Sequence, residues 1–261
     1  MLIDSHAHVL KEYYSEEEIK KNLTKDILIN VVAYDLESSK EAISLAHDFE
    51  NVFSSIGFHP YDVPNSHSLL LELERLLTDT MVIALGEIGL DYFRDITPKD
   101  LQKDYFEKQI DVAKKMDLPI VIHSRQAFLD TIAILDNTHY YNGVFHSFDY
   151  SKEEAKKVLD RGFFISFSGM VTFKNRSDLR DALSYVPLSK LLFETDSPYL
   201  SPVPLRGKRN IPQFVEYVYK LASEIKNIPY KNIVDTVCNN FFEIFRKANL
   251  KVKKEVVCSR S

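Results

Sequence analysis

The sequence predicts an α/β fold, a single-domain (β/α)8 TIM barrel, and three observations predict it. Eight short apolar, β-branched or aromatic runs recur along the chain, and segments with helical spacing of apolar residues separate them. The runs are almost continuously apolar rather than alternating, which marks strands buried on both faces in a parallel sheet covered by helices. Eight such units in 261 residues suit a closed barrel better than an open doubly wound sheet. No Gly-x-Gly-x-x-Gly follows the first run, which weakens the dinucleotide-binding alternative.

In chain order the runs are Leu2–His8, Ile27–Tyr34, Val52–Phe58, Val82–Glu87, Ile120–His123, Gly143–His146, Phe163–Phe167 and Leu191–Glu194. Between them, Ser15 with Glu18, Ser38 with Glu41 and Ser151 with Glu154 match the Ser-x-x-Glu capping box, in which each side chain satisfies the other residue's free amide. Thr97-Pro98 reads as a cap and a first-turn proline ahead of an inner stripe of Leu101, Tyr105, Phe106, Ile110 and Ala113. The final helix is expected near Tyr230–Lys247, with Ile233, Val234, Val237, Phe241 and Phe245 facing inward. No repeat, low-complexity linker or shift in composition divides the chain. The barrel is expected over residues 1–250, with the basic segment 251–261 as a flexible tail.

Hydrophobic content of 45% and charged content of 27% are those of an ordinary soluble globular protein. A net charge of −5 means that any nucleic-acid contact must rely on a local basic patch. The two cysteines, Cys238 and Cys258, stand far from the candidate ligands, which argues against a disulfide framework or a zinc finger. The chain reaches Asp4 and His6 without a basic-then-apolar leader, and no apolar run is long enough to span a bilayer. A cytoplasmic protein without membrane association or an obligate protein partner is therefore expected. Average usage would place roughly 18 glycines in this length, whereas the chain has 7, each in or beside an apolar run or a motif loop.

The stretch Ile83–Asp91 organises the rest. Glu87 interrupts an apolar run, with Gly86 before it and Gly89 two residues after. An ionised carboxylate there needs a partner, and the glycines imply a sharp turn or a close approach to the backbone. A bound cation accounts for both. His6 and His8, two apart on a strand, point to one side. By itself a His-x-His pair is a weak signal. It gains weight because ligand-type residues also close other strands: Glu87 the fourth, His123 the fifth, His146 the sixth and Asp196 the eighth. In a barrel these ends converge on one mouth, where active sites lie. Six such donors exceed the needs of one tetrahedral ion and fit two divalent ions about 3.5–4 Å apart with a bridging carboxylate.

Several of these segments resemble the TatD family of metal-dependent deoxyribonucleases. They are Met1–His8, Gly57-Phe58-His59-Pro60, Gly86–Tyr92, Ile122-His123-Ser124-Arg125, His146-Ser147-Phe148 and Glu194–Leu200, and later Arg206–Asn210 and Asn240-Phe241. The match runs in order from the second residue to about Phe245. The resemblance implies a barrel of the amidohydrolase superfamily that hydrolyses nucleic-acid phosphodiesters, often exonucleolytically from the 3′ end. It also implies a binuclear site at His6, His8, Glu87, His123, His146 and Asp196. One departure stands out: Asp149-Tyr150 replaces the family's small Ser-Gly pair, adding a charge and a ring near the mouth.

On this reading His6 and His8 hold one ion, His123 and His146 the other, and Glu87 bridges them. Asp196 binds the first ion and orients the attacking water, whose pKa the ions lower from about 15.7 toward 7. A cap for a following helix is the competing role for Asp196. His59 is a candidate for meeting phosphate or leaving group, against a structural turn before Pro60. Arg125 offers a planar fork for phosphate, against pairing with Asp91 or Asp95. Arg206, Lys208 and Arg209 form a dense basic loop suited to steering DNA, against a solvated charge run. Asn210 with Gln213 reads as a helix cap. Tyr92 and Phe93 are placed to stack on a base or simply to pack. His47, His67 and His139 receive no site role. Imidazole with carboxylate admits zinc, manganese, nickel or iron, and the family adds magnesium. Two other functions compete: a small-molecule or aminoacyl-tRNA ester hydrolase on the same barrel, and a non-catalytic metal-bound partner protein.

Overall fold

A computed structural model describes residues 1–24, 26–94 and 96–249. Asp95 and the expected tail over 251–261 lie outside the described residues. Eight parallel strands form one sheet in the order of the chain: β1 Leu2–Ala7, β2 Ile27–Val32, β3 Val52–Ile56, β4 Val82–Asp91, β5 Ile120–Arg125, β6 Gly143–Phe145, β7 Phe164–Phe167 and β8 Leu191–Phe193. All eight expected runs contain strands, and their burial follows from helices covering the sheet; β4 runs past Glu87 to Asp91, so Glu87 lies within its strand and does not close it. Every residue of β4 is buried.

The barrel closes between β8 and β1 at their C-terminal ends. Ala7 bridges Ser197, the Asp196 amide donates to the His6 carbonyl at 3.0 Å, and the His8 amide donates to the Ser197 carbonyl at 2.8 Å. Asp4 strengthens the seam by accepting from the Thr195 amide at 2.9 Å and the Thr195 hydroxyl at 2.5 Å. Closure therefore brings His6, His8 and Asp196 together through the backbone itself.

Helix starts account for most departures from expectation. Ser15 and Glu18 form the expected box at α1, Glu16–Asn22, and Ser151 with Glu154 does so at α6, Lys152–Leu159. At α2, Leu36–Asp48, the box is instead Asp35 with Ser38. An Asp three residues earlier competes better for the free amides than Ser38 with Glu41. Thr97 does not cap α4, Lys99–Met116. Its hydroxyl donates to the Tyr61 carbonyl and Pro98 holds the cap position. The final helix divides into α9, Tyr230–Ile244, and α10, Arg246–Asn249.

Helix α4 carries the expected apolar stripe, but Gln102 and Gln109 lie buried on the same face. Gln109 accepts from the Phe58 amide at 2.7 Å and donates to the Phe58 carbonyl at 3.1 Å. Gln102 does the same for Asp91, at 2.9 and 3.1 Å. Two buried amides on one helix thus satisfy the backbone where β3 and β4 enter the mouth.

The glycines of β4 answer to close approach. A Cβ on Gly86 would lie 2.5 Å from the Val121 Cβ, and one on Gly89 would lie 2.0 Å from the His123 carbonyl oxygen. Gly89 also has φ +141°, a region that side chains disfavour. Their absence of bulk lets β5 pack against β4, which carries Glu87 and His123 to the same place.

Candidate metal centre

At the C-terminal mouth, Glu87 is buried and stands between two histidine pairs. Its Oε1 lies 2.6 Å from His123 Nδ1 and 2.7 Å from His146 Nε2. Its Oε2 lies 3.3 Å from His6 Nε2 and 3.6 Å from His8 Nε2. One oxygen faces each pair. Asp196 Oδ1 is 3.5 Å from His8 Nε2 and 3.9 Å from His6 Nε2. The six residues singled out from sequence are all brought together.

The outward ring nitrogens identify what the inward ones present. His8 Nδ1 lies 2.8 Å from the Val32 carbonyl, an acceptor only, so Nδ1 carries the hydrogen. His123 Nε2 reaches Asp91 at 2.9 Å, and His146 Nδ1 reaches Glu194 at 3.2 Å. When these rings are neutral, lone pairs point inward at one another and at two carboxylates. His6 Nε2 and His8 Nε2 are only 3.3 Å apart, and His123 Nδ1 and His146 Nε2 only 3.2 Å. At His123 and His146 acceptors are crowded against acceptors, which positive charge between them, carried by protons or a metal, relieves; His6 Nδ1 has no partner, so its tautomer is not fixed in the same way. Among the described residues, three groups have ligand atoms within 4.8 Å of one another: His6 with His8 and Glu87, His6 with His146 and Asp196, and His59 with Glu87 and His123.

Charge and burial act against each other here. Burial opposes charging Glu87, yet His146, His59 and hydrogen bonds from His123 and His146 hold it well below the usual carboxylate range. Burial also opposes charge on His146, but Glu87 and Glu194 raise it well above an ordinary histidine. His123 and His8 are raised against burial by their carboxylate neighbours. Burial and the His146 charge lower His6, and burial lowers His59. Burial notwithstanding, the bond to His123 holds Asp91 at about 2. Asp196 is lowered by His8, His146 and His6 against its own burial. The pocket attracts positive charge, whether protons or a metal.

The cavity is about 460 Å³, within the roughly 300–1,000 Å³ of small-molecule sites. His59 and Arg125 line it. His59 Nδ1 accepts from the Tyr61 amide at 3.1 Å and Nε2 lies 3.7 Å from Glu87. Arg125 lies over the Phe93 ring at 3.8 Å, while Asp91 is engaged by His123 and by the Phe93 amide. The basic loop stands apart from this lining. Arg206 stacks on Phe173 at 3.7 Å, and Arg209 pairs with Glu18 at 3.0 Å. Tyr92 turns to Asp130, with its hydroxyl 2.7 Å from the carboxylate.

Asp196 caps no helix. It has φ 55°, and the next turn of helix begins only at Pro212. Asn210 is likewise no cap: it is buried and donates to the Thr195 and Tyr199 carbonyls at 2.9 and 2.6 Å, while Gln213 donates to the Asn22 carbonyl. Of the departure at Asp149-Tyr150, Asp149 lines the mouth with its charge paired to Arg176. The Tyr150 hydroxyl meets Ser124 at 2.9 Å and its ring packs on Phe128 and Phe148. Sequence reasoning missed Asp91 and Glu194 as partners of the histidines. Their signal was present as acids four residues from Glu87 and two from Asp196, but the pairing needed three dimensions.

Among the described residues no helix is long and apolar enough to cross a membrane. A family model described as TatD related DNase matches residues 3–246. YabD of Bacillus subtilis (strain 168), named an uncharacterized metal-dependent hydrolase, is 36% identical over 253 residues, covering 94% of this chain and 99% of its own length. YcfH of Escherichia coli (strain K12), named likewise, is 37% identical over 256 residues, covering 94% and 95%. The crystal structure of YJJV, a TatD homolog from Escherichia coli K12, superposes with a TM-score of 0.88 at 27% identity, covering 94% of this chain and 98% of that one. The converging acids and imidazoles, the eight-stranded barrel and these likenesses agree: the chain belongs to the TatD family of metal-dependent hydrolases.

Proposed function

We propose that this hydrolase cleaves phosphodiester bonds of DNA, removing nucleotides from the 3′ end, at a site holding two divalent ions. Glu87 carries the reading, because each of its oxygens faces a separate pair of imidazole nitrogens. His6, His8 and Asp196 would hold one ion, and His123 and His146 the other, with Glu87 shared. Ions bound there supply Lewis acidity, lowering the pKa of water and offsetting charge on phosphoryl oxygens. Zinc, manganese, nickel and iron suit the donors, and magnesium is tested with them.

The chain's own groups do the rest. Asp196, ionised and at the rim of the cluster, orients the attacking water and accepts its proton. Arg94 and Arg125 line the mouth and supply cationic donors to the phosphate. His59 Nε2, beside Glu87, is placed to donate to the leaving oxygen. Asp91, Glu194 and the Val32 carbonyl keep the imidazoles in the tautomer and orientation that the reaction needs. Arg206 and Arg209 steer the strand from outside the mouth, if Arg209 exchanges its exposed partner Glu18 for phosphate.

Single-stranded DNA labelled at either end, incubated with each metal and with chelator, tests this. Stepwise loss from the 3′ end that chelator abolishes is the expected result. Intact DNA alongside rapid hydrolysis of p-nitrophenyl acetate would move the reading to an ester hydrolase on the same barrel.

A further inference from the structure

Three tyrosines form one wall of the mouth, beside His8. Tyr13 follows β1, Tyr34 follows β2 and Tyr199 follows β8. Their ring centroids lie 6.5, 6.2 and 6.5 Å from that of His8, each edge to face. Tyr13 is 6.4 Å from Tyr34 and 5.8 Å from Tyr199, so the rings make a continuous surface. All three line the cavity, and Tyr199 is 50% exposed. The Tyr34 hydroxyl bonds to Glu12, whose carboxylate also borders the cavity.

The opposite wall differs in character. Arg125 stands two residues beyond His123, and Arg94 lies 5.9 Å from the Tyr61 ring centroid. The cavity's two arginines thus stand on the His123 side, with Tyr61 and Asp62 beside His59, while the cluster of three tyrosines stands with Glu12 on the His8 side, next to Asp196. A phosphate is drawn to the ligand cluster and the arginines and is repelled by Glu12. The tyrosine wall suits the other part of a nucleotide, a flat uncharged ring carrying N–H donors.

We propose that Tyr13, Tyr34 and Tyr199 are a nucleobase-binding wall, on which the base adjoining the phosphate stacks while Glu12 accepts from its N–H groups. The proposal rests on the nuclease reading and makes it specific: recognition includes the base, with every base offering a π face to stack. A small diester without an aromatic group would leave this wall empty.

Calorimetry on the metal-loaded protein tests it with dAMP and 2-deoxyribose 5-phosphate, which differ only in the base. Stacking on aromatic side chains leads us to expect dAMP to bind roughly tenfold or more tightly. Tyr199→Ala should remove most of that preference, and Tyr199→Phe should keep it. Should Tyr199→Ala fail to fold, Tyr199→Leu keeps apolar bulk without the π face and is read in the same way. Equal affinities in the parent, or a preference that survives loss of the ring, overturn the proposal. If DNA is not cleaved but the preference exists and depends on Tyr199, the nuclease reading fails and the wall stands. If DNA is cleaved without any preference, the reverse holds.

Discussion

Asp91 and His123 are joined by a 2.9 Å hydrogen bond, and the opposite nitrogen of the same imidazole lies 2.6 Å from Glu87. The bond settles which nitrogen is free to bind a cation. Outer partners of this kind commonly change metal affinity 10- to 100-fold when removed. Asp91→Ala should therefore lower metal affinity by roughly one to two decades with little change in far-ultraviolet circular dichroism. Unchanged affinity in a metal titration would show that packing alone orients His123.

Asp196 sits at the rim with φ 55° and no helix to cap. The role proposed for it is chemical, and Asp196→Asn keeps its size while removing its capacity to accept a proton. General-base loss typically slows turnover about 10²- to 10⁴-fold. Product release from end-labelled DNA should fall by that order, with the fold intact. A variant as fast as the parent removes Asp196 from the mechanism.

Metal binding should weaken as pH falls, and earlier than ordinary histidines would dictate. Only neutral imidazole binds a metal. His8, His123 and His146 are all raised above the usual value near 6.5 by neighbouring carboxylates, so protons occupy them already above that pH. Glu87 and Asp196 are lowered and stay ionised throughout this range. Affinity measured between pH 8 and 6 should drop by roughly tenfold or more per unit. A flat profile would contradict histidine ligation.

Gly89 tests the fit between β4 and β5. An alanine there would place its Cβ 2.0 Å from the His123 carbonyl oxygen at a φ of +141°. Overpacking of this kind costs about 1–3 kcal/mol, and a strained backbone adds a similar amount. Urea denaturation of Gly89→Ala should show at least that loss, together with weaker metal binding, because His123 must move. Parent-like stability would mean the two strands separate easily.

Asn210 ties the loop after β8 to the barrel through the Thr195 and Tyr199 carbonyls. Truncation leaves buried acceptors without a donor, at about 1–3 kcal/mol each. Asn210→Ala should lower the unfolding midpoint and slow turnover, since Asp196 lies between the two tethered residues. Loss of stability with turnover unaffected would confine Asn210 to the fold.

The sequence by itself made legible the eight strands and the six residues gathered at the mouth, because both are written in local patterns: continuous apolar runs, and acids or histidines that break into those runs or follow them closely, as Glu87 does inside β4. It also determined that β4 would be closely approached, since Gly86 and Gly89 leave no side chain there. Tertiary structure decided how those donors divide, with one Glu87 oxygen facing each histidine pair. It decided, too, that Asp91, Glu194, Gln102 and Gln109 support them, that Asp35 displaces Ser38 as a cap, and that Arg206 and Arg209 turn to Phe173 and Glu18. Hydrogen bonds and ion pairs depend on distance in space, and barrel closure joins residues as remote as Asp4 and Thr195, 191 positions apart. The same closure gathers Tyr13, Tyr34 and Tyr199, which nothing in their local sequence distinguishes from packing aromatics.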